Sequence, residues 1–357
     1  PWHGRTALHI AAELGQVDVV RFLIQELPES LRVNPNITIN NPGNPWHGRT
    51  ALHIAAEFGQ VDVVRFLIQE LPESLRVNPN ITINNPGTQW HGSTALHIAA
   101  GNGKVDVVRF LIQELPENLR VNPNITINNP GTKLHGWTAL HIAAANGNVD
   151  VVRFLIQELP ESLRVNPNIT INNPGTQWHG STALHIAAGS GKVDVVRFLI
   201  QELPESLRVN PNITINNPGT QWHGLTALNI AVALRSIAII DLLLASGAAQ
   251  NIGINARGLP FQIAFIRNNM DLARQLMLES CFLERECSLC HASYEQEEEV
   301  VCLPCCHIMH SDCWNMVNAN TATANRCVQC RQIIQPDQVH RFTIDTQEVL
   351  NRFTQDQ

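Results

Sequence analysis

Residues 6–24 read TALHIAAELGQVDVVRFLI, and this stretch decides the fold because close copies of it recur along the chain. Its first half predicts a short helix, since a threonine hydroxyl can cap the first turn and Gly15 can end the last. Its second half predicts another helix, because apolar residues follow at spacings of three and four. These apolar residues are Val17, Val20, Leu23 and Ile24. Neither short helix can bury its apolar face alone, so the sequence predicts a mainly α solenoid of stacked helix pairs.

The copies begin at threonines spaced 44 residues apart: Thr6, Thr50, Thr94, Thr138, Thr182 and Thr226. The motif resembles the ankyrin repeat, whose T-P-L-H-x-A and G-x-x-x-V-V-x-x-L-L pattern it matches with alanine in place of proline. An ordinary ankyrin unit has about 33 residues, so each copy carries extra residues in an insert such as LPESLRVNPNITINNPGTQW. From Thr226 to Leu259, where the pattern resumes, the spacing is 33. The resemblance implies an ankyrin array over residues 1–280, with five long units, one ordinary unit and a degenerate closing unit.

Each insert contains Asn-Ile-Thr-Ile-Asn, in which polar and apolar residues alternate between turn-forming residues. Two interpretations fit this pattern. The inserts form a hairpin or a short ladder that extends from one copy to the next, or they are five identical solvated loops.

The copies differ mainly around the end of the first helix and directly after the glycine that precedes it. In ankyrin proteins these positions line the concave recognition face, so the resemblance implies that a protein substrate binds there. We expect Phe58 and Trp137 to be exposed aromatic anchors, with Arg49 beside them. The histidine of each T-A-L-H motif is expected to make structural hydrogen bonds within the loops.

Composition excludes two classes of partner. The chain has 24 Lys and Arg against 31 Asp and Glu, a net charge of −7, so nothing basic is available to neutralise a nucleic acid. No apolar run approaches the ~20 residues that a membrane helix needs. We therefore expect a cytoplasmic protein. Near-identical repeats are also common in proteins that bacteria deliver into host cells, in which case the compartment is the host cytosol.

All nine cysteines lie between residues 281 and 330, which indicates a metal site in a reducing compartment and not a disulfide framework. Cys287-x2-Cys290 opens this segment and Cys327-x2-Cys330 closes it, and each pair can hold one side of a tetrahedral zinc. Between them lies Cys305-x-His307-x2-His310-x2-Cys313.

Eight ligands in this order resemble a RING finger of the two-histidine type, as do the Leu-Pro before Cys305 and the Arg331 after the last ligand. The resemblance implies a small zinc-stabilised α+β domain over residues 281–334, followed by a tail over 335–357. It also implies two Zn²⁺ ions in a cross-brace. The first is held by Cys287, Cys290, His310 and Cys313, and the second by Cys305, His307, Cys327 and Cys330.

RING fingers act as ubiquitin ligases, and the resemblance carries that function over to this chain. The zinc finger would hold a ubiquitin-charged conjugating enzyme through Leu289 and Arg331, while the array binds the substrate, and the chain would supply no catalytic residue of its own. Two positions depart from the family: Val328 stands where many active members have proline, and Val317 where a groove tryptophan is usual.

Two other readings stay open. Ligands Cys302-x2-Cys305 followed by His310-x2-Cys313 give the spacing of a PHD finger, with His307 idle, which would indicate a reader of histone tails. Alternatively, the chain is a non-enzymatic ankyrin scaffold whose zinc finger is only structural.

Overall fold

The computed structural model describes residues 4–220, 223–248, 299–302, 308–310, 312–315 and 340–343. Within the first two ranges the chain forms the predicted solenoid of helix pairs, and the mainly α prediction is confirmed there. The expected closing unit from Leu259, the boundary at residue 280 and most of the proposed zinc domain lie outside the described residues.

The first helix of each unit begins directly after its threonine, which forms a capping box with the residue three positions later. These first helices pack side by side along the array. They are α1 (Ala7–Glu13), α3 (Ala51–Phe58), α5 (Ala95–Gly101), α7 (Ala139–Asn146), α9 (Ala183–Gly189) and α11 (Ala227–Ala233).

The second helices begin after the glycine turn. They are α2 (Val17–Arg21), α4 (Val61–Arg65), α6 (Val105–Arg109), α8 (Val149–Arg153), α10 (Val193–Arg197) and α12 (Ile237–Ala245). The first five continue into a π-helical turn, at Phe22–Glu26, Phe66–Glu70, Phe110–Glu114, Phe154–Glu158 and Phe198–Glu202. Leu-Pro then stops the helix, because proline lacks the amide that another turn requires. A short 3₁₀ turn opens each insert, at Glu29–Leu31, Glu73–Leu75, Glu117–Leu119, Glu161–Leu163 and Glu205–Leu207.

Stacking buries one continuous apolar core along the array. In the internal units the phenylalanine of the second helix is fully buried, at Phe66, Phe110, Phe154 and Phe198. The arginine before it reaches into the next unit: the Arg65 guanidinium lies 4.4 Å from the Phe110 ring centroid and donates to Glu114 at 3.0 Å. The same arrangement recurs at each of the first four junctions.

The inserts are not solvated loops, so that alternative is wrong. Each insert ends in a hairpin that packs on the array and buries an isoleucine, such as Ile83. The Ile83 amide donates to the Ser93 carbonyl at 2.9 Å, and the Gly92 amide donates to the Ile83 carbonyl at 2.9 Å. The hairpin interpretation is therefore the correct one.

Asparagine side chains also join each hairpin to the one before it. Asn129 Nδ2 donates to the Thr88 carbonyl at 2.9 Å, and Asn173 and Asn217 repeat this contact one and two units further on. Asn129 is 5% exposed, so its amide replaces water as the donor to a carbonyl of the neighbouring hairpin.

The described part of the carboxy-terminal region contains three strands, β1 (Glu299–Cys302), β2 (Ile308–His310) and β3 (His340–Thr343). They form an antiparallel sheet in the order β2-β1-β3, with Cys302 opposite both Ile308 and His340. A helical turn follows at residues 312–315. Among the helices that the structure describes, none has the length and apolar character to cross a membrane.

Candidate interaction face and cysteine–histidine segment

In the second to fifth units the T-A-L-H histidines fasten the inserts to the array, and the expected structural role is confirmed there. His97 Nδ1 accepts from the Thr94 amide at 3.2 Å, and its Nε2 lies 3.0 Å from the carbonyl of Ile125 in the insert of the same unit. This geometry requires the tautomer that carries its hydrogen on Nε2. Burial lowers the pKa of His97 to about 4, and the same cause lowers the pKa values of His53, His141 and His185 to about 4. These histidines are neutral structural donors at pH 7.

From the second unit onward the residue after the turn glycine is buried, so the expectation that Arg49 and Trp137 are exposed contact residues is wrong. Arg49 is 5% exposed and Trp137 is 6% exposed. The Arg49 carbonyl accepts a hydrogen bond from the Ile39 amide, and the Trp137 carbonyl accepts one from the Ile127 amide. These bonds hold Arg49 and Trp137 inside the junction between hairpin and helix. Arg49 forms an ion pair with Glu57, and the Trp137 ring lies edge-on to Trp178 with centroids 6.1 Å apart.

Variation at this position is matched by variation at the end of the first helix, eight residues later. Arginine is followed by glutamate, serine by glycine, and tryptophan or leucine by alanine. Gly189 leaves room for the Trp178 ring, because a β-carbon at residue 189 would lie 3.2 Å from it. In the fourth unit the aromatic residue moves instead, with Leu134 at the usual tryptophan position and Trp137 in the core. These paired substitutions preserve packing within the array. Packing, and not partner recognition, therefore explains the variation at these two positions.

The variable residue in the turn before the second helix also has an internal role. Gln60 Nε2 donates to the Glu13 carbonyl at 2.8 Å, and Asn148 Nδ2 donates to the Ala100 carbonyl at 2.8 Å. Both accepting carbonyls lie at the end of the preceding unit's first helix, where no amide of that helix is available to them. Reading the sequence alone missed this cross-unit capping.

One variable position is exposed in every unit, and we call it the variable row. It lies at the end of the first helices and comprises Leu14, Phe58, Asn102, Asn146, Ser190 and Leu234. Leu14 is 62% exposed, Phe58 39% and Leu234 56%, so apolar side chains face solvent towards both ends and polar ones between them. Because the first helices pack side by side, the row is continuous along the array.

Phe58 belongs to a fixed aromatic cluster. Its ring lies edge-on to Trp46, with centroids 6.3 Å apart, and the Arg5 guanidinium lies 4.8 Å from the Trp46 centroid. Arg5 is itself paired with Glu13. A rigid, partly exposed aromatic side chain loses little entropy when it is covered by a partner. The role of Phe58 as an anchor stays a prediction.

The predicted zinc ligands fall largely outside the described residues. Six of the eight do so, namely Cys287, Cys290, Cys305, His307, Cys327 and Cys330, as do the predicted enzyme contacts Leu289 and Arg331. Of the other two, His310 ends β2, and Cys313 lies in the helical turn with 8% of its surface exposed. Among the described residues alone, no three histidine, cysteine or acidic side chains form a group that could hold a metal ion.

Comparison with known proteins agrees with the repeat architecture. The family model for ankyrin repeats in three copies matches residues 2–83, 71–168 and 159–256. The ankyrin repeat domain of Bcl-3 is similar in fold at 21% identity, with a TM-score of 0.51 over 76% of this chain and 99% of that one. The human ASB11 ankyrin repeat domain has 20% identity and a TM-score of 0.45, over 72% and 91% of the two chains. No curated protein sequence gives a significant match.

The fold and the variable row define a class of protein, the repeat scaffold that binds other proteins. The family match covers well over half of the chain, and the chain belongs to the ankyrin repeat family.

Proposed function

We propose that this ankyrin scaffold is a RING-type ubiquitin ligase. The array would bind a protein substrate along the variable row, and the carboxy-terminal segment would bind two Zn²⁺ ions and a ubiquitin-charged conjugating enzyme. The observation that carries the proposal is the spacing of Cys287, Cys290, Cys305, His307, His310, Cys313, Cys327 and Cys330. Eight thiol and imidazole donors in two interleaved sets of four match the ligands and the coordination number that structural zinc prefers.

The described backbone supports this ligand assignment. Cys302 pairs with Ile308, so the two described residues that flank 303–307 in the sequence, where Cys305 and His307 stand, are neighbours in the sheet. His310 and Cys313 lie three residues apart, and Cys313 is buried in the helical turn. Cysteine and histidine pairs close in sequence are the usual building units of a zinc site. Bound zinc would supply folding free energy to this segment, because such a site rarely exists in an unfolded chain and binding the metal therefore favours the folded state.

The proposed catalytic contribution is one of position. Leu289 would contact the conjugating enzyme, and Arg331 would donate hydrogen bonds from its forked guanidinium to both the enzyme and ubiquitin. Holding the thioester in one geometry, close to a substrate on the array, raises the effective concentration of the attacking amine. Val328 and Val317 replace the proline and the tryptophan that are usual in active RING fingers. The test therefore uses a panel of conjugating enzymes.

The test is discharge of ubiquitin from a panel of charged conjugating enzymes by the full chain with zinc present. We expect faster discharge with at least one enzyme, and loss of that acceleration in Arg331→Ala. Arg341→Ala is the matched control, because it removes an arginine that is not among the predicted contacts with the conjugating enzyme. Absence of acceleration with every enzyme, in a chain that does hold zinc, would refute the ligase proposal and leave a non-enzymatic scaffold.

A further inference from the structure

The chain is almost free of lysine. It contains three lysines, Lys104, Lys133 and Lys192, and 21 arginines. After Lys192 the sequence runs to Gln357 with eleven arginines and no lysine. Lysine and arginine both keep a surface soluble, so charge alone does not account for this imbalance.

Part of the imbalance has a structural cause. Two arginines recur in each long unit, and both use properties of the guanidinium. Arg65 stacks on Phe110 while pairing with Glu114, and Arg76 Nε donates to the Leu71 carbonyl at 2.9 Å. Duplication of such units multiplies arginine. It does not explain why all eight basic residues after residue 248 are arginine as well.

The three lysines differ in their surroundings. Lys104 and Lys192 are half-buried, and their side chains lie across Gly59 and Gly147 of the preceding unit. The Lys104 Cδ is 3.0 Å from where a β-carbon at residue 59 would stand, so its stem is packed against the backbone. Lys133 instead lies exposed in the hairpin turn that the Thr132 carbonyl and the His135 amide close at 3.4 Å. Among the described residues it forms no ion pair.

We propose that Lys133 is the ubiquitin acceptor of this chain, the site at which the ligase modifies itself. The inference rests on the proposed function. In the reaction the neutral Lys133 amine attacks the thioester carbonyl between ubiquitin and the conjugating enzyme. The new C–N bond forms as the C–S bond breaks, the enzyme's cysteine leaves as the thiolate, and the proton released by the amine passes to that thiolate. Arginine cannot replace lysine here, because its guanidinium stays protonated and is a poor nucleophile.

The test is a self-modification assay on the full chain with zinc, charged conjugating enzyme and lysine-free ubiquitin, so that each acceptor gives one added ubiquitin. The variants are Lys133→Arg, Lys104→Arg, Lys192→Arg and the double Lys104→Arg/Lys192→Arg, all of which keep the charge. The amino terminus is acetylated to remove its amine. Discharge onto free lysine in solution, measured in parallel, reports ligase activity without regard to the acceptor.

We expect Lys133→Arg to lose the ubiquitin-modified band, and the other three variants to keep it, with discharge onto free lysine unchanged throughout. Moving a lysine to the equivalent exposed turn position, Gln177→Lys in the Lys133→Arg background, should restore modification. Continued modification of Lys133→Arg, or its loss in Lys104→Arg or Lys192→Arg, overturns the acceptor assignment while leaving the ligase proposal intact. No discharge onto free lysine by the unaltered chain overturns both.

Discussion

Replacement of His97 by asparagine separates the two roles of the repeat histidine. The sixth unit already has this replacement at Asn229, whose Oδ1 accepts from the Thr226 amide at 2.7 Å and from its hydroxyl at 2.8 Å. We therefore expect His97→Asn to keep the capping box. Asparagine is too short to reach the Ile125 carbonyl, which His97 Nε2 contacts at 3.0 Å. Loss of that hydrogen bond and of ring packing should lower the free energy of unfolding by about 2–3 kcal/mol at pH 7.5.

The same variant should lose less stability in acid. The folded pKa of His97 is about 4, below the unfolded value of 6.5, because the buried ring disfavours charge. Stability from this residue is complete above pH 6.5 and declines as the pH falls towards 4. Between pH 7.5 and pH 5 the loss comes to about 2 kcal/mol for each such histidine.

Urea unfolding followed by circular dichroism at pH 7.5 and pH 5 measures both effects. The quantity compared is the change in the free energy of unfolding between the two pH values, in the original chain and in His97→Asn. Other titrating groups cancel in this difference. An equal acid loss in both chains would contradict the account of these histidines as buried, neutral donors.

Three further predictions concern packing within the array. Arg235 adopts a left-handed backbone with φ 55°, where the other units have glycine, so Arg235→Gly should raise stability by roughly 0.5–1 kcal/mol. Gly191→Ala is its matched counterpart, since Gly191 has φ 68° and no neighbour within 4 Å of an added β-carbon, and it should lower stability by about 1 kcal/mol. Asn129→Ala should cost about 1 kcal/mol by removing the donor to the Thr88 carbonyl, and Asn124→Ala in the same insert serves as an exposed control. Gly189→Ala should cost about 1–3 kcal/mol by displacing Trp178, whereas Ser190→Ala at the next, exposed position should change stability by no more than about 0.5 kcal/mol. Thermal unfolding of each variant and its control measures these changes in stability. Equal changes in a variant and its control would contradict the role given to the contact in that pair.

The repeat unit itself could be predicted from the sequence, because its signals are local. Threonine caps, helix-ending glycines and apolar spacing each act within one unit, and stacking follows from them. The inserts could not be settled in the same way. Burial of Ile83 and the Asn129 contact to Thr88 depend on where the neighbouring unit lies, which no local pattern states.

The interaction face was only partly predictable for a related reason. Comparison of copies found the right region but treated every difference as a sign of exposure. Arg49 and Glu57 vary together because they form one ion pair, and Trp137 varies because it exchanges places with Leu134. A comparison that considers substitutions eight residues apart together identifies these positions as internal. It leaves Phe58 in the variable row.

The measurement that tests the account most directly is the zinc content of the purified full chain by native mass spectrometry. The cross-braced ligand set predicts two Zn²⁺ per chain, one in His307→Ala and two in Cys302→Ser. A chain that holds no metal, or one that keeps both ions in His307→Ala and loses one in Cys302→Ser, would contradict it.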